Sequence, residues 1–149
     1  MVVGKICNRR VVTAGKESSI REAICLMRDE HVGDVVVVEA RNHGQAPVGV
    51  LTDRDVVVGL LAQGVDLDAV SVGDVMSDEI EVAEEKDEVA DTIKLMRYKG
   101  FRRMPVVDEE GTLVGIITLD DIVDLLAEQL RELTGVIPRE RSFEKDRRH

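Results

Sequence analysis

The chain has 149 residues, 44% of them hydrophobic and nearly all of those aliphatic, which suits one compact core better than two independent domains. Its formal net charge of −10 argues against nucleic acid as a bulk partner, because binding to a phosphate backbone requires a basic surface. No apolar run approaches the roughly 18 residues of a membrane span. The N-terminus lacks the apolar region of a secretory signal. We therefore expect a cytoplasmic protein with no membrane partner.

The sequence contains one pattern twice. Shifted by 69 positions, residues 3–7 (VGKIC) fall on 72–76 (VGDVM), and Val37-Val38 falls on Val106-Val107. A loop at 40–46 is three residues longer in the first copy, so the offset beyond it becomes 66. Self-similarity at a fixed spacing indicates one supersecondary unit used twice, and each half-core is most easily completed by its twin. We expect a pseudo-symmetric pair whose functional site lies where the halves meet.

In the first copy the pattern predicts a strand, a helix, two strands and a second helix. The first strand covers 11–13, and a helix capped by Ser18 or Ser19 follows, because apolar residues recur from Ile20 at helical spacing until Gly33. The β-branched run 35–38 predicts a buried strand. A polar loop at 40–46 leads to a strand at 48–52 and to a helix over about 54–63.

The second copy repeats this order. Strands are predicted at 80–82, 104–107 and 113–118, and helices at 88–99 and from 120 to about 133, the latter stopping at Gly135. The motifs therefore cover 1–64 and 72–134, joined by a linker at 65–71. Residues 135–149 are predicted to be a flexible tail, and 139–149 are expected to have no regular structure.

Each copy carries one short signature where its last strand meets its last helix. It reads Gly, two aliphatic residues, Thr, two residues and Asp, at 49–55 (GVLTDRD) and at 115–121 (GIITLDD). Thr followed three residues later by an acid is typical of a helix capping box. A helix N-terminus also favours anions, and a carboxylate there can accept two hydrogen bonds from a ribose. Its occurrence twice favours the ligand interpretation, while capping stays an alternative.

Residues 3–131 resemble a tandem pair of CBS domains, the cystathionine β-synthase-type regulatory module. The resemblance is carried by the repeated openings, by the stretch 102–108 (RRMPVVD) and by both signatures. It implies an α+β fold of two pseudo-twofold-related β-α-β-β-α motifs packed through their sheets. It also implies a non-catalytic sensor that binds AMP, ADP or ATP in two clefts between the motifs and needs no catalytic cofactor. NAD or S-adenosylmethionine is the alternative ligand.

The resemblance also implies roles for individual residues. The ribose-binding residues are Asp55, Asp121, Thr52 and Thr118. The residues that line the base are Thr13, Ala14, Val32, Gly33, Val82, Ala83 and Phe101. Phosphate is expected at Arg102 and Arg103, and also at Arg54, a cation that opposes the dipole of its helix.

The two copies differ where phosphate is expected. At the place of Arg102 and Arg103 the first copy has Gly33 and Asp34, an acid where phosphate prefers a cation. We therefore predict that the clefts are unequal and that the one richer in cations holds the phosphorylated nucleotide.

Other features bear on partners and on rival functions. Apolar residues on more than one side of both signature helices predict a two-fold symmetric homodimer, and an effector protein is a further partner. A purely structural dimer without nucleotide is one rival. An enzyme or metal protein using His31 and the cysteines is the other, but no catalytic or metal-binding pattern is visible. Cys7 and Cys25 are expected to be small core residues.

Overall fold

The computed structural model describes residues 1–147. In the first copy a 3-10 turn at Val3–Lys5 precedes the elements β1 (Thr13–Gly15), α1 (Ile20–Glu30), β2 (Asp34–Arg41), β3 (Gly44–Thr52) and α2 (Asp53–Val56). Helix α2 continues into a π-helical turn at Val57–Leu61, and a 3-10 turn at Leu67–Ala69 lies in the linker. The second copy consists of α3 (Val72–Val75), β4 (Ala83–Glu84), α4 (Val89–Lys99), β5 (Arg103–Val107), β6 (Leu113–Thr118) and α5 (Leu119–Thr134). The predicted α+β fold with two β-α-β-β-α motifs is therefore confirmed.

Local hydrogen bonds explain where the first helices begin and end. Ser19 caps α1, because its hydroxyl accepts the Glu22 N–H at 3.1 Å. The helix ends at His31 in the left-handed conformation, earlier than the predicted stop at Gly33. Helix α4 ends at Gly100, whose φ of 74° is also in the left-handed region. Glycine adopts this conformation without strain because it has no side chain.

Each copy forms a three-stranded mixed sheet. In the first sheet β1 pairs parallel to β2, and β2 pairs antiparallel to β3; the second sheet repeats this arrangement with β4, β5 and β6. Both sheets carry an irregularity at equivalent positions, between Val37 and Val38 and between Val106 and Val107. The sheets contact each other through β3 and β6.

Two stretches differ from the sequence-based assignment. The predicted polar loop at 40–46 is wrong, because β2 and β3 continue through it with Arg41 opposite Gly44, and only a tight turn joins them. Strands β1 and β4 begin about two residues later than predicted. The reason is that parallel pairing with the central strand sets in only at Thr13 and Ala83.

The two copies exchange their opening segments. Val72, from the second copy, is fully buried in the core of the first, and Val3, from the first copy, is fully buried in the core of the second. Backbone bonds hold both segments: the N–H of Val72 donates to Ser18 at 2.9 Å, and the N–H of Val3 donates to Asp87 at 2.8 Å. Each half-core is thus completed by its twin, as the repeat predicts.

The C-terminal segment is helical over α6 (Val136–Arg147) and buries none of its side chains. The prediction of no regular structure is therefore wrong for 139–147. Arg, Glu and Lys are good helix formers, and Pro138 lies in the first turn, where proline is tolerated. The last two residues of the predicted tail lie outside the described residues, and its flexibility stays a prediction. Within residues 1–147 no helix has the length and apolar character needed to cross a bilayer.

Candidate functional site

Two clefts open between the copies, and each has one wall from the first copy and one from the second. Cleft A, about 370 Å³, is bounded by Val11–Val12 and Val32–Gly33 of the first copy and by Thr118 and Asp121 of the second. Cleft B, about 250 Å³, joins Thr52 and Asp55 of the first copy to residues 79–81 and 100–103 of the second. The walls occupy equivalent positions in the repeat, so the clefts are related by the pseudo-twofold.

The signature threonine caps its helix in both copies. The hydroxyl of Thr52 accepts the Asp55 N–H at 3.1 Å, and that of Thr118 accepts the Asp121 N–H at 3.1 Å. The strand-to-helix junction predicted from the sequence is therefore present twice, with a cleft at each.

The signature aspartates differ in what their carboxylates do. Asp55 completes a capping box, because its Oδ2 accepts the Thr52 N–H at 2.9 Å. Among residues 1–147 the Asp121 carboxylate accepts no hydrogen bond, although that side chain lines cleft A. Capping thus accounts for Asp55 and leaves Asp121 available to accept hydrogen bonds from a ligand.

Of the residues expected at the base, three line a cleft and four do not. Val32 and Gly33 line cleft A, and Phe101 lines cleft B. Four expected positions lie outside the lining of both clefts within the described chain, namely Thr13, Ala14, Val82 and Ala83. The two alanines are instead buried in the two cores, because they are paired in β1 and β4.

The residues just before β1 and β4 line the clefts instead of the expected ones. Val11 and Val12 line cleft A, and Ile80 and Glu81 line cleft B. The lining residues therefore precede β1 and β4, while the positions expected from the resemblance fall at or next to the paired strand residues.

Sequence reasoning also missed two charged lining residues. Arg10 lies in cleft A, where its guanidinium pairs with Glu30, and Glu79 occupies the equivalent position in cleft B. The offset of 69 between them, just after the repeated openings, is the signal that could have found them.

Arg54 does not line either cleft within the described chain. Its side chain is exposed at the start of α2, and its backbone N–H donates to Asp53 at 2.8 Å. A cation in the first turn opposes the helix dipole, and solvent around it reduces that cost. The phosphate role expected for Arg54 therefore finds no support in its position.

Arg102 and Arg103 line both clefts. Arg103 forms an ion pair with Asp34, whose side chain is only 10% exposed, and Arg102 lies 3.5 Å from Asp120. Burial raises the pKa of the Asp34 carboxyl, while the charge and hydrogen bond of Arg103 oppose that rise and the charge of Asp53 adds to it. Asp34 and Arg103 are equivalent positions of the repeat, so their ion pair crosses the pseudo-twofold.

Each cleft is lined by three carboxylates, and the clefts differ in their number of cations, but not at the positions from which the sequence predicts a difference. Both contain the shared arginines, but Arg10 gives cleft A a third cation. Cleft B adds Glu79 and Glu81 to its signature aspartate, and Glu81 is paired with Lys99 at 3.0 Å. Cleft A is therefore the one richer in cations.

The two cysteines differ in burial. Cys7 is partly buried, and burial raises the pKa of its thiol, whereas Cys25 is exposed on α1, contrary to the expected core position. Within residues 1–147 no group of three or more His, Cys, Asp or Glu side chains is arranged to hold a metal ion.

Comparison with known proteins identifies the repeat. The family model of the CBS domain matches residues 3–62 and 72–128. An uncharacterized protein of Methanopyrus kandleri is 38% identical over 123 residues, which cover 83% of this chain and 61% of that protein, so the chain spans less than two thirds of this relative.

Solved structures share the fold. A CBS domain pair in complex with 5′-methylthioadenosine and S-adenosyl-L-methionine matches with a TM-score of 0.73 and 26% identity, over 87% of this chain and 98% of the other. A CBS domain protein from Pyrobaculum aerophilum complexed with AMP matches with a TM-score of 0.71 and 27% identity, over 81% and 89%. On the family match, the repeated motif and the shared fold, this chain belongs to the CBS domain family, as a tandem pair of such domains.

Proposed function

We propose that this CBS pair is a non-catalytic regulatory module that binds an adenine nucleotide, AMP, ADP or ATP, in the clefts between its motifs. The observation that carries the proposal is the Asp121 carboxylate, which lines cleft A, accepts no hydrogen bond from residues 1–147 and stands among three arginines. A vicinal diol fits that acceptor, and a phosphate fits those cations.

The proposed pose follows from the walls of cleft A. The ribose hydroxyls donate to Asp121, with the Thr118 hydroxyl beside them. The base lies against the backbone of Val32–Gly33, and the phosphate points toward the arginines. The relatives solved with AMP and with adenosine derivatives support this class of ligand.

Cleft B is the weaker candidate. Its aspartate is engaged in capping, and it has two lining arginines where cleft A has three, while each cleft has three lining carboxylates. This supports occupancy of cleft A first by a phosphorylated nucleotide, with cleft B weak or suited to an uncharged nucleoside. NAD or S-adenosylmethionine is the alternative ligand for either cleft.

The proposed output is a change of shape or of affinity for a partner. A ligand can shift such an equilibrium only if it binds the two states with different affinity. An effector protein in the cytoplasm is therefore part of the proposal, and its identity is open.

We also propose a homodimer through the signature helices. Exposed apolar side chains follow α5 at alternating spacings of four and three, namely Leu119, Val123, Leu126, Leu130 and Leu133. Such a stripe is typical of helix-to-helix contacts, while Asp124, Glu128 and Glu132 lie on the opposite side of the helix. Two copies of this acidic chain can therefore pack along the apolar stripe without bringing these carboxylates of the two α5 helices together.

Leu130→Glu tests this interface, because it places a charge in the middle of the stripe. We expect a dimer at micromolar concentration in analytical ultracentrifugation and a monomer after the substitution. Glu128→Gln, on the far side of α5, is the matched control and should stay dimeric. A monomer before any substitution contradicts the proposal.

A thermal-shift screen with AMP, ADP, ATP, NAD and S-adenosylmethionine tests nucleotide binding. Ligand at 100 times its dissociation constant adds about 2.7 kcal/mol, or roughly 5–10 °C for a chain of this size. The shift should become much smaller in Asp121→Ala, where only the weaker cleft B remains, and persist in Asp55→Ala. If none of the five ligands raises the melting temperature, the signatures are helix caps only.

A further inference from the structure

The two clefts are not independent, because the same two cations line both. Arg102 and Arg103 are neighbours at the start of β5, and both contribute to the lining of each cleft. The backbone fixes this position: the Leu119 N–H donates to the carbonyl of Arg102 at 2.7 Å, and Arg103 is paired with Thr118 in the sheet. Only the side chains can therefore turn from one cleft to the other.

Both guanidinium groups are held by acids that belong to cleft A. Arg103 pairs with Asp34, and Arg102 lies 3.5 Å from Asp120. The first pair is the more restrained, since the Asp34 side chain is 10% exposed, whereas the second pair is largely solvated at 71% and 81% exposure. A phosphate in either cleft competes with these acids for the same donors.

Cleft B has no cation of its own in the part of the chain that the structure describes. Apart from the shared arginines, its charged lining consists of Asp55, Glu79 and Glu81. Cleft A retains Arg10 when the shared arginines turn away. A phosphate in cleft B thus depends on Arg102 and Arg103 entirely, and a phosphate in cleft A depends on them in part.

We propose that Arg102 and Arg103 form one phosphate-binding pair that serves both clefts, so that a nucleotide phosphate in one cleft weakens phosphate binding in the other. The inference rests on the proposed nucleotide binding. A guanidinium turned toward one phosphate leaves the opposite cleft with its acids and without its donor. Because binding free energies are reciprocal, the weakening is the same in both directions.

Calorimetric titration of the full chain with AMP and with adenosine measures this coupling. Asp121→Asn and Asp55→Asn each disable one cleft and give the dissociation constant of the other. Without coupling, the product of the two stepwise dissociation constants of the unsubstituted chain equals the product of the two single-cleft dissociation constants. For AMP, we expect the stepwise product to be larger by at least about fivefold. For adenosine, which has no phosphate, the two products should agree.

A second arm leaves both aspartates in place. In the double variant Arg102→Gln/Arg103→Gln, AMP should bind more weakly, and the product of its two stepwise dissociation constants should equal the product of the two single-cleft constants measured when Asp121→Asn or Asp55→Asn is then added to this variant. If the coupling is very strong, the unsubstituted chain binds only one AMP although each single-cleft variant also binds one. That result supports the proposal.

Three outcomes overturn the inference, and they are distinguishable. Equal products for AMP show that the clefts do not share their cations. The same ratio for adenosine shows coupling that does not run through phosphate. If neither AMP nor adenosine gives a binding heat, the proposed nucleotide binding itself is wrong. If both bind but the AMP products agree, only this inference is wrong.

Discussion

At the scale of single residues, the two signature aspartates are alike in sequence and different in structure. Asp55 accepts the Thr52 N–H at 2.9 Å, while the Asp121 carboxylate has no such bond among residues 1–147. One aspartate therefore contributes to the stability of its helix, and the other is free for recognition.

This difference predicts unequal costs of substitution. Asp55→Ala should lower the free energy of unfolding by about 1 kcal/mol, since it removes half of a capping box. Asp121→Ala should cost clearly less, because the Asp121 carboxylate makes no equivalent hydrogen bond among residues 1–147. Urea unfolding of both variants without ligand is the measurement, and equal losses contradict this assignment.

The ion pair between Asp34 and Arg103 predicts a pH dependence. Burial raises the pKa of the Asp34 carboxyl, so the folded chain holds its proton more strongly than the unfolded chain does. The free energy of unfolding therefore falls as pH rises from about 4 through the raised value. Removing Arg103 raises that pKa further, and the loss of stability extends to higher pH.

Arg103→Met should thus cost about 1 kcal/mol more at pH 7 than at pH 4, a modest figure because Arg103 is 41% exposed. Urea unfolding at the two pH values measures it. Arg102→Met, which removes a largely exposed cation, is the control and should show little pH dependence. A loss that is the same at both pH values would count against this account of Asp34.

At the scale of elements, the strand glycines of the signatures serve the exchange of opening segments. A Cβ on Gly49 would lie 2.5 Å from the sulfur of Met76, and one on Gly115 would lie 2.7 Å from the sulfur of Cys7. The backbone of Val50 exchanges two hydrogen bonds with Ser77 beside this contact. What approaches the strand closely is thus the other copy of the motif.

Alanine at these glycines should therefore destabilise the fold. Gly49→Ala and Gly115→Ala each force the opening segment outward and should cost about 1–3 kcal/mol. Gly59 offers a matched control, because a Cβ there meets nothing within 4 Å and alanine favours a helix. Thermal unfolding should show the two losses and no loss for Gly59→Ala; unchanged melting of the strand variants contradicts the close packing.

At the scale of the whole molecule, the exchange of Val3 and Val72 joins two cores into one cooperative unit. Each core lacks a buried side chain when the other copy is absent. A substitution that destabilises the first core should therefore destabilise the second core as well.

Val72→Ala tests this cooperativity, because Val72 lies in the first core and the amides of α4 report on the second copy. The substitution should cost roughly 2 kcal/mol. Amide hydrogen exchange should show that α1 and α4 lose the same free energy of protection. A loss of protection confined to α1 shows that the copies unfold separately.

The sequence predicted the architecture well because the repeat constrains it twice. Element order, the Gly100 stop of α4 and the completion of each core by its twin all follow from residues that recur at the same spacing. The strand starts were harder, since Val11 and Ile80 are as apolar as strand residues although they lie before the pairing begins.

The shared role of Arg102 and Arg103 was beyond sequence reasoning. Each copy read alone assigns its residues to one cleft, whereas the pairing of Asp34 with Arg103 depends on how the two copies face each other. Likewise, Asp55 and Asp121 occupy the same position of the signature, so the sequence does not reveal that only the Asp55 carboxylate completes a capping box.

The most direct test of the central claim is a crystal structure of the chain grown with millimolar AMP. The account predicts AMP in cleft A, with both ribose hydroxyls on the Asp121 carboxylate and the phosphate on at least one of Arg10, Arg102 and Arg103. Empty clefts at saturating AMP, or AMP bound away from Asp121, would contradict it.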